Sequence, residues 1–279
     1  MSRSLLATAA LLLATPALAE QPVNINFAAE IGGAPFACGQ TYDALGATGA
    51  SVTGIDYRLF VSDAALVRAD GSLQPIALEQ DGKWQLDTLA LLDFEDGTQG
   101  CSGTGNADLN TSLHGTVPAG DYVGLTFTLG VPFGQNHIDP TLAAAPLNTT
   151  GMFWNWQNGF RFVRIDMVPT DRAEDGPKGW FLHLGSTQCA AESKTEAPSA
   201  CTNPNRVTVT FPGFDPATNT VVIDPAPVVA GADLRVNAPD TSPGCMSFPG
   251  DADCTTVMSR LGLPFDGIAA GAQQLLSVR

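Results

Sequence analysis

Three histidines, at positions 114, 137 and 183, are the whole imidazole supply of this 279-residue sequence. A metal site built on ring nitrogens must draw on that short list, because histidine is the commonest nitrogen ligand in proteins. His137 ends the segment Gly130-Val131-Pro132-Phe133-Gly134-Gln135-Asn136-His137, a loop that follows the clearest strand pattern of the chain. His183 sits within Trp180-Phe181-Leu182-His183-Leu184-Gly185, a predicted strand close to Cys189. His114 precedes Gly115 in a turn-like context. Taken singly, each is more simply explained as a structural or exposed side chain. A second concentration of chemistry is Met152-Phe153-Trp154-Asn155-Trp156-Gln157-Asn158-Gly159-Phe160, which holds half of the four tryptophans. In an extended chain Trp154 and Trp156 share a face, because side chains alternate along a strand. Such a pair can serve the core, form a stacking platform for a ligand, or include a chemically modified ring.

The six cysteines, Cys38, Cys101, Cys189, Cys201, Cys245 and Cys254, are even in number. In an exported chain that count argues for three disulfides, out of fifteen formal pairings. The preferred set is Cys38–Cys101, Cys189–Cys201 and Cys245–Cys254. Its second bond closes a polar loop between two predicted strands, and its third closes a Gly/Pro/Asp-rich segment. With no free thiol expected, a blue-copper site is disfavoured. Zinc-ribbon and redox-shuttle readings are weak without a CxxC. The sequence has no GxSxG, HExxH, P-loop, dinucleotide fingerprint or CxxCH. Carboxylate pairs such as Asp93/Glu95 are too common in this acidic chain to argue for a glycosidase. The expectation is therefore a binding protein and not an enzyme.

The elements that must position these residues read as strands. Val23 to Ala28, Ile55 to Val61, Tyr122 to Leu129, Phe160 to Met167, Gly179 to Leu184, Arg206 to Phe211 and Thr220 to Ile223 are β patterns between turn signals. Leu73 to Glu79 and Lys83 to Leu86 flank Gln80-Asp81-Gly82, a hairpin signal. Asp139 to Thr150 and Ala190 to Asn205 read as loops, and Leu261 to Val278 as containing a short helix. The fold class expected is all-β, an antiparallel sandwich or barrel-like domain with long loops, disulfide-bonded. One domain over 20–279 is expected, less regular after about residue 225.

At the N-terminus, Arg3 precedes an apolar run from Leu5 to Leu18 that ends in Ala17-Leu18-Ala19. This has the layout of a secretory signal peptide over 1–19, with Glu20 as the first mature residue. That start excludes a copper site built on an N-terminal histidine. The expected location is periplasmic or secreted. The formal net charge of -15, with only 13 Lys and Arg, repels nucleic acid and anionic lipid. No nucleic-acid partner and no membrane insertion are expected.

The ordered series Phe36-Ala37-Cys38-Gly39, Tyr57-Arg58-Leu59-Phe60-Val61-Ser62, Leu91-Leu92-Asp93-Phe94-Glu95, Cys101, Gly124 to Pro132, Asn136-His137, Pro146-Leu147-Asn148, Met152 to Gln157, Gly159 to Phe162, His183 to Thr187, Cys189, Cys201 and Asn205-Arg206 resembles the MbnP family, the metallo-mystery pair four-Cys proteins. The resemblance spans roughly Val23 to Asp224. Cys38, Cys101, Cys189 and Cys201 match the four family cysteines, and Cys245 and Cys254 are additional. The resemblance implies a copper-binding protein, and two neutral imidazoles would suit Cu(I), which tolerates low coordination. It implies a partner, a di-haem protein of the cytochrome c peroxidase type (MbnH-like), that oxidises a tryptophan to kynurenine. It places the metal site at His137 and His183 with Trp154 or Trp156 as the modified residue, and leaves open whether His114 joins. Asn136 or Asp139 could then orient the imidazoles. The alternative reading is a non-metal envelope module that binds glycan or protein through a Trp154/Trp156 face.

Overall fold

A computed structural model describes residues 19–279 apart from 102, 104, 106, 175, 194 and 195. The expected signal peptide lies outside the described residues but for Ala19. The first strand, Glu20–Ile31, alternates as its sequence demands: Val23, Ile25, Phe27, Ala29 and Ile31 are buried while Asn24 and Asn26 are exposed. It pairs antiparallel with Ser112–Pro118 and parallel with Thr220–Ile223. Ala77–Leu78 and Leu276–Val278 extend this sheet on either side. A parallel pair needs a long crossover, and the chain between residues 31 and 220 supplies it by building the second sheet.

The second sheet is centred on the 18-residue strand Ala50–Val67. Its main path runs Val207–Pro212, Gly124–Leu129, Ala50–Val67, Gly159–Pro169, Trp180–Gly185 and Gly244–Cys245. The last of these pairs parallel, and the other neighbours along the path are antiparallel. The two sheets pack as a sandwich. The Phe27 ring meets Phe127 edge-on at 5.7 Å, and the Tyr57 hydroxyl crosses the interface to donate to the Ile223 carbonyl at 2.8 Å. Tyr57, Ile165 and Leu182 form one row across three strands facing this core. The neighbouring row, Arg58, Arg164 and His183, therefore faces the other way. The fold is the expected mostly-β, disulfide-bonded class, with two parallel pairings added to an otherwise antiparallel plan.

Four expectations of the fold are corrected. Ala190 to Asn205 is not all loop, because Ala200–Asn203 is a strand paired with Thr187–Ala190. Leu73 to Glu79 and Lys83 to Leu86 do not pair with each other. Leu73–Pro75 joins Ala50–Val67, Ala77–Leu78 joins Ser112–Pro118, and Gln85–Leu86 joins Leu89–Asp93. The Ile76 N–H makes the last bond of the first ladder, to the Ala64 carbonyl, and the chain crosses to the other sheet at Ala77. Asp81 instead caps a turn, accepting the N–H groups of Lys83, Trp84 and Gln85. The C-terminal helix falls earlier than expected, at Cys254–Arg260. Gly262, at φ 85°, and Pro264 prevent helix beyond it, and the tail ends as strand Leu276–Val278. His114 is not in a turn: it lies exposed on the strand Ser112–Pro118, with its Nε2 2.9 Å from the Ser112 hydroxyl. Among the described residues no helix is long and apolar enough to cross a membrane.

Candidate metal centre

The aromatic segment folds as a hairpin at the edge of the second sheet. The strand Phe153–Asn155 pairs back onto Gly159–Pro169, with residues 156–158 as the turn. Gly159 has φ 76°, and a Cβ there would lie 2.2 Å from the Asn136 carbonyl oxygen, so only glycine serves. The turn corrects the same-face expectation for the two tryptophans, because the strand ends before Trp156. The Trp154 ring packs over Gly185 and has His183, Phe248 and the Arg161 guanidinium at 6.2, 5.6 and 5.5 Å. The Trp156 ring instead meets Phe153 edge-on at 6.4 Å. The side-by-side platform that a stacked ligand would need is not formed by this pair.

His183 is the best-defined candidate ligand. It is 4% exposed, and its ring stacks on Phe181 at 5.7 Å and 9°. Nε2 lies 2.6 Å from Asp166 Oδ1. Nδ1 is buried and has no hydrogen-bond partner. Burial holds its pKa below the ordinary value, against the opposing pull of Asp166, so the ring is neutral near pH 7. A carboxylate on one ring nitrogen and a free lone pair on the other is the arrangement of a metal-binding imidazole.

His137 follows the short helix Phe133–Asn136. Its Nδ1 faces the Trp156 carbonyl at 3.2 Å, so that nitrogen carries the proton and Nε2 holds the lone pair. Nε2 lies 3.2 Å from Asn136 Nδ2 and 3.6 Å from Cys201 Sγ. Burial lowers its pKa too. Both cysteine sulfurs near this ring, Cys189 and Cys201, are joined in a disulfide and offer no thiolate. Of the two expected orienting neighbours, Asn136 reaches His137, while Asp139 accepts from Thr141. Asn136 also accepts the Phe160 N–H at 2.8 Å and approaches the Ser186 hydroxyl at 3.4 Å, tying His137 to the strand Gly159–Pro169 and to the link just after the strand Trp180–Gly185 that carries His183.

Thus each histidine takes a different part of the aromatic hairpin: His183 the Trp154 ring, His137 the Trp156 carbonyl. Among the described residues no hydrogen bond or ring contact joins the two imidazoles to each other. All three preferred disulfides are present.

A layer of buried charge that sequence reasoning missed lies behind His183. Asp56, Arg58, Arg164 and Asp166 line the outer face of the second sheet. Arg164 bridges Asp56 at 3.1 Å and Asp166 at 2.8 Å, and Arg58 pairs with Asp56. Arg164 Nη1 and Arg161 Nη1 both donate to the Gly151 carbonyl, at 3.0 and 2.9 Å. Arg164, the cation that holds the histidine's carboxylate, thereby also holds the segment leading to Trp154. Phe248 was missed as well; the alternation of charge in Asp56-Tyr57-Arg58 and Arg164-Ile165-Asp166 was visible, but reads as a solvent face.

A family model, MbnP, matches residues 20–247. Among solved structures, MbnP from Methylosinus trichosporium is 34% identical, with a TM-score of 0.83 over 94% of this chain and 99% of that one. Comparison with curated proteins gives no match. The family match and the shared architecture agree over nearly all of the described chain, and the protein belongs to the MbnP family.

Proposed function

We propose that this protein binds copper in the bacterial periplasm or outside the cell, and that it carries copper without being an enzyme. The observation that supports this most is the His183 ring: neutral, held by Asp166 at Nε2, with a buried, unpartnered Nδ1 beside Trp154. Those features fit a soft, low-coordinate ion such as Cu(I), which takes neutral imidazole. His137 is the second ligand, its Nε2 lone pair facing the Asn136 amide and a disulfide sulfur. His114 stands outside the site, on an exposed strand of the other sheet. Three disulfides accord with an oxidising compartment.

Trp154 is the residue we assign to oxidation, because its ring, not that of Trp156, lies against a candidate ligand. Conversion to kynurenine opens the indole C2–C3 bond and releases C2 as formic acid. Three waters enter, and four protons and four electrons leave to a peroxide-fed di-haem partner. An indole nitrogen has no free lone pair; the aryl amine and ketone that replace it do.

Competitive Cu(I) titration of wild type, His183→Ala, His137→Ala and the double variant tests the reading. Each single variant is expected to weaken binding at least about tenfold, as losing one metal-site residue does. Equal affinity in wild type and double variant would exclude this site.

A further inference from the structure

The arrangement behind His183 points to a role for a residue outside the ligand set, and this step rests on the copper reading above. We infer that Asp166 is a positioning residue: its carboxylate fixes the proton of His183 on Nε2 and holds the ring so that the Nδ1 lone pair is presented to the ion. The geometry carries this in three links. Asp166 Oδ1 lies 2.6 Å from His183 Nε2. Its other oxygen, Oδ2, accepts from Arg164 Nε at 2.9 Å and Nη2 at 2.8 Å, so the carboxylate cannot turn. Arg164 is in turn fixed by Asp56 at 3.1 Å and by the Gly151 carbonyl at 3.0 Å.

The register explains why this chain of contacts reaches the site without a gap. Arg164 stands opposite both Arg58 and His183, and Asp166 stands opposite Asp56. Two cationic side chains and one imidazole thus form a row, and two carboxylates form the next row on the same face. Each carboxylate accepts from the row beside it. The imidazole is also stacked on Phe181, and the Ser247 hydroxyl donates to the His183 carbonyl at 2.8 Å. Ring and backbone are therefore both restrained, and the one ring atom without a protein partner is Nδ1. A carboxylate placed this way raises ligand basicity and orients the ring.

The test is long-range proton–nitrogen correlation on the copper-free, isotope-labelled full chain. His183 is expected as the Nε2–H tautomer, with a far-downfield, exchange-protected proton. In Asp166→Asn that proton moves upfield, and Cu(I) binding weakens about 10–100-fold, the range for losing such a partner. Asp166→Glu restores the downfield proton and most of the affinity. A wild-type ring protonated at Nδ1 overturns the proposal even if Asp166→Asn fails to fold. Unchanged Cu(I) affinity in a folded Asp166→Asn also overturns it. Because the tautomer is read without metal, a wild type that binds no Cu(I) but keeps the Asp166-dependent proton sinks only the copper reading.

Discussion

At the scale of residues, the two tryptophans that look equivalent in sequence are separated by their neighbours. Trp154 has an imidazole, a guanidinium and a phenyl ring around it, whereas Trp156 contributes its carbonyl to His137. Peptide mapping of the native protein is accordingly expected to find a gain of about 4 Da, one carbon lost and one oxygen gained, a modification of the kind that changes local chemistry, on Trp154. Trp156→Phe keeps that gain and Trp154→Phe loses it; the reverse result would reassign the site. The histidines and the tryptophan pair were legible because rare residue types stand out in a chain with three His and four Trp. The choice between Trp154 and Trp156 was not, because it depends on where the strand Phe153–Asn155 stops and the turn begins.

At the scale of elements, two features place the site. Gly185, the last residue of the strand Trp180–Gly185, leaves room for the indole: a Cβ there would lie 2.4 Å from Trp154 Cζ3 and 2.9 Å from the Phe160 carbonyl. Gly185→Ala is therefore expected to move the Trp154 ring off His183, shifting its fluorescence and weakening Cu(I) binding, with little change in the His137 environment. An unchanged emission spectrum would contradict this. The second feature is the two-stranded sheet of Thr187–Ala190 and Ala200–Asn203, which has no further strand partner among the described residues. An isolated hairpin is marginal in water, so the Cys189–Cys201 bond, closing a separation of 12 residues, holds it together. Replacing both cysteines by alanine is expected to cost about 2–3 kcal/mol by chain-entropy reasoning, read by chemical denaturation. The strand Glu20–Ile31, through its alternation, and Thr220–Ile223, through its β-branched run, were legible to within a few residues. The supposed hairpin around Asp81 was not, because turn chemistry says that the chain bends and not which sheet receives each arm.

At the scale of the whole molecule, the second sheet buries charge where a sandwich usually exposes it. Burial pushes the Asp93 carboxyl up to about 7, and Asp56 up to about 6, against the pull of Arg58. A raised carboxyl binds its proton more tightly folded than unfolded, so its contribution is present at low pH and lost as pH rises toward the folded value. For Asp93 that window runs from the ordinary carboxylate range, about 4, up to about 7. Asp166 works oppositely: His183 and Arg164 hold it below the ordinary value despite burial, so its contribution is lost as pH falls through that lower range. Asp93→Asn is expected to flatten the decline in stability between about pH 4 and 7; a slope identical to wild type would contradict the assignment. The burial of these charges was not legible in the sequence, because cross-strand pairing of Arg58, Arg164 and Asp56 is set by register between segments about 100 residues apart. Copper is assigned to the Nδ1 side of His183, against Trp154, and anomalous diffraction at the copper edge from copper-loaded crystals locates the ion. One strong peak within bonding distance of His183 Nδ1 is expected; a peak remote from that atom, or none, would refute the assignment.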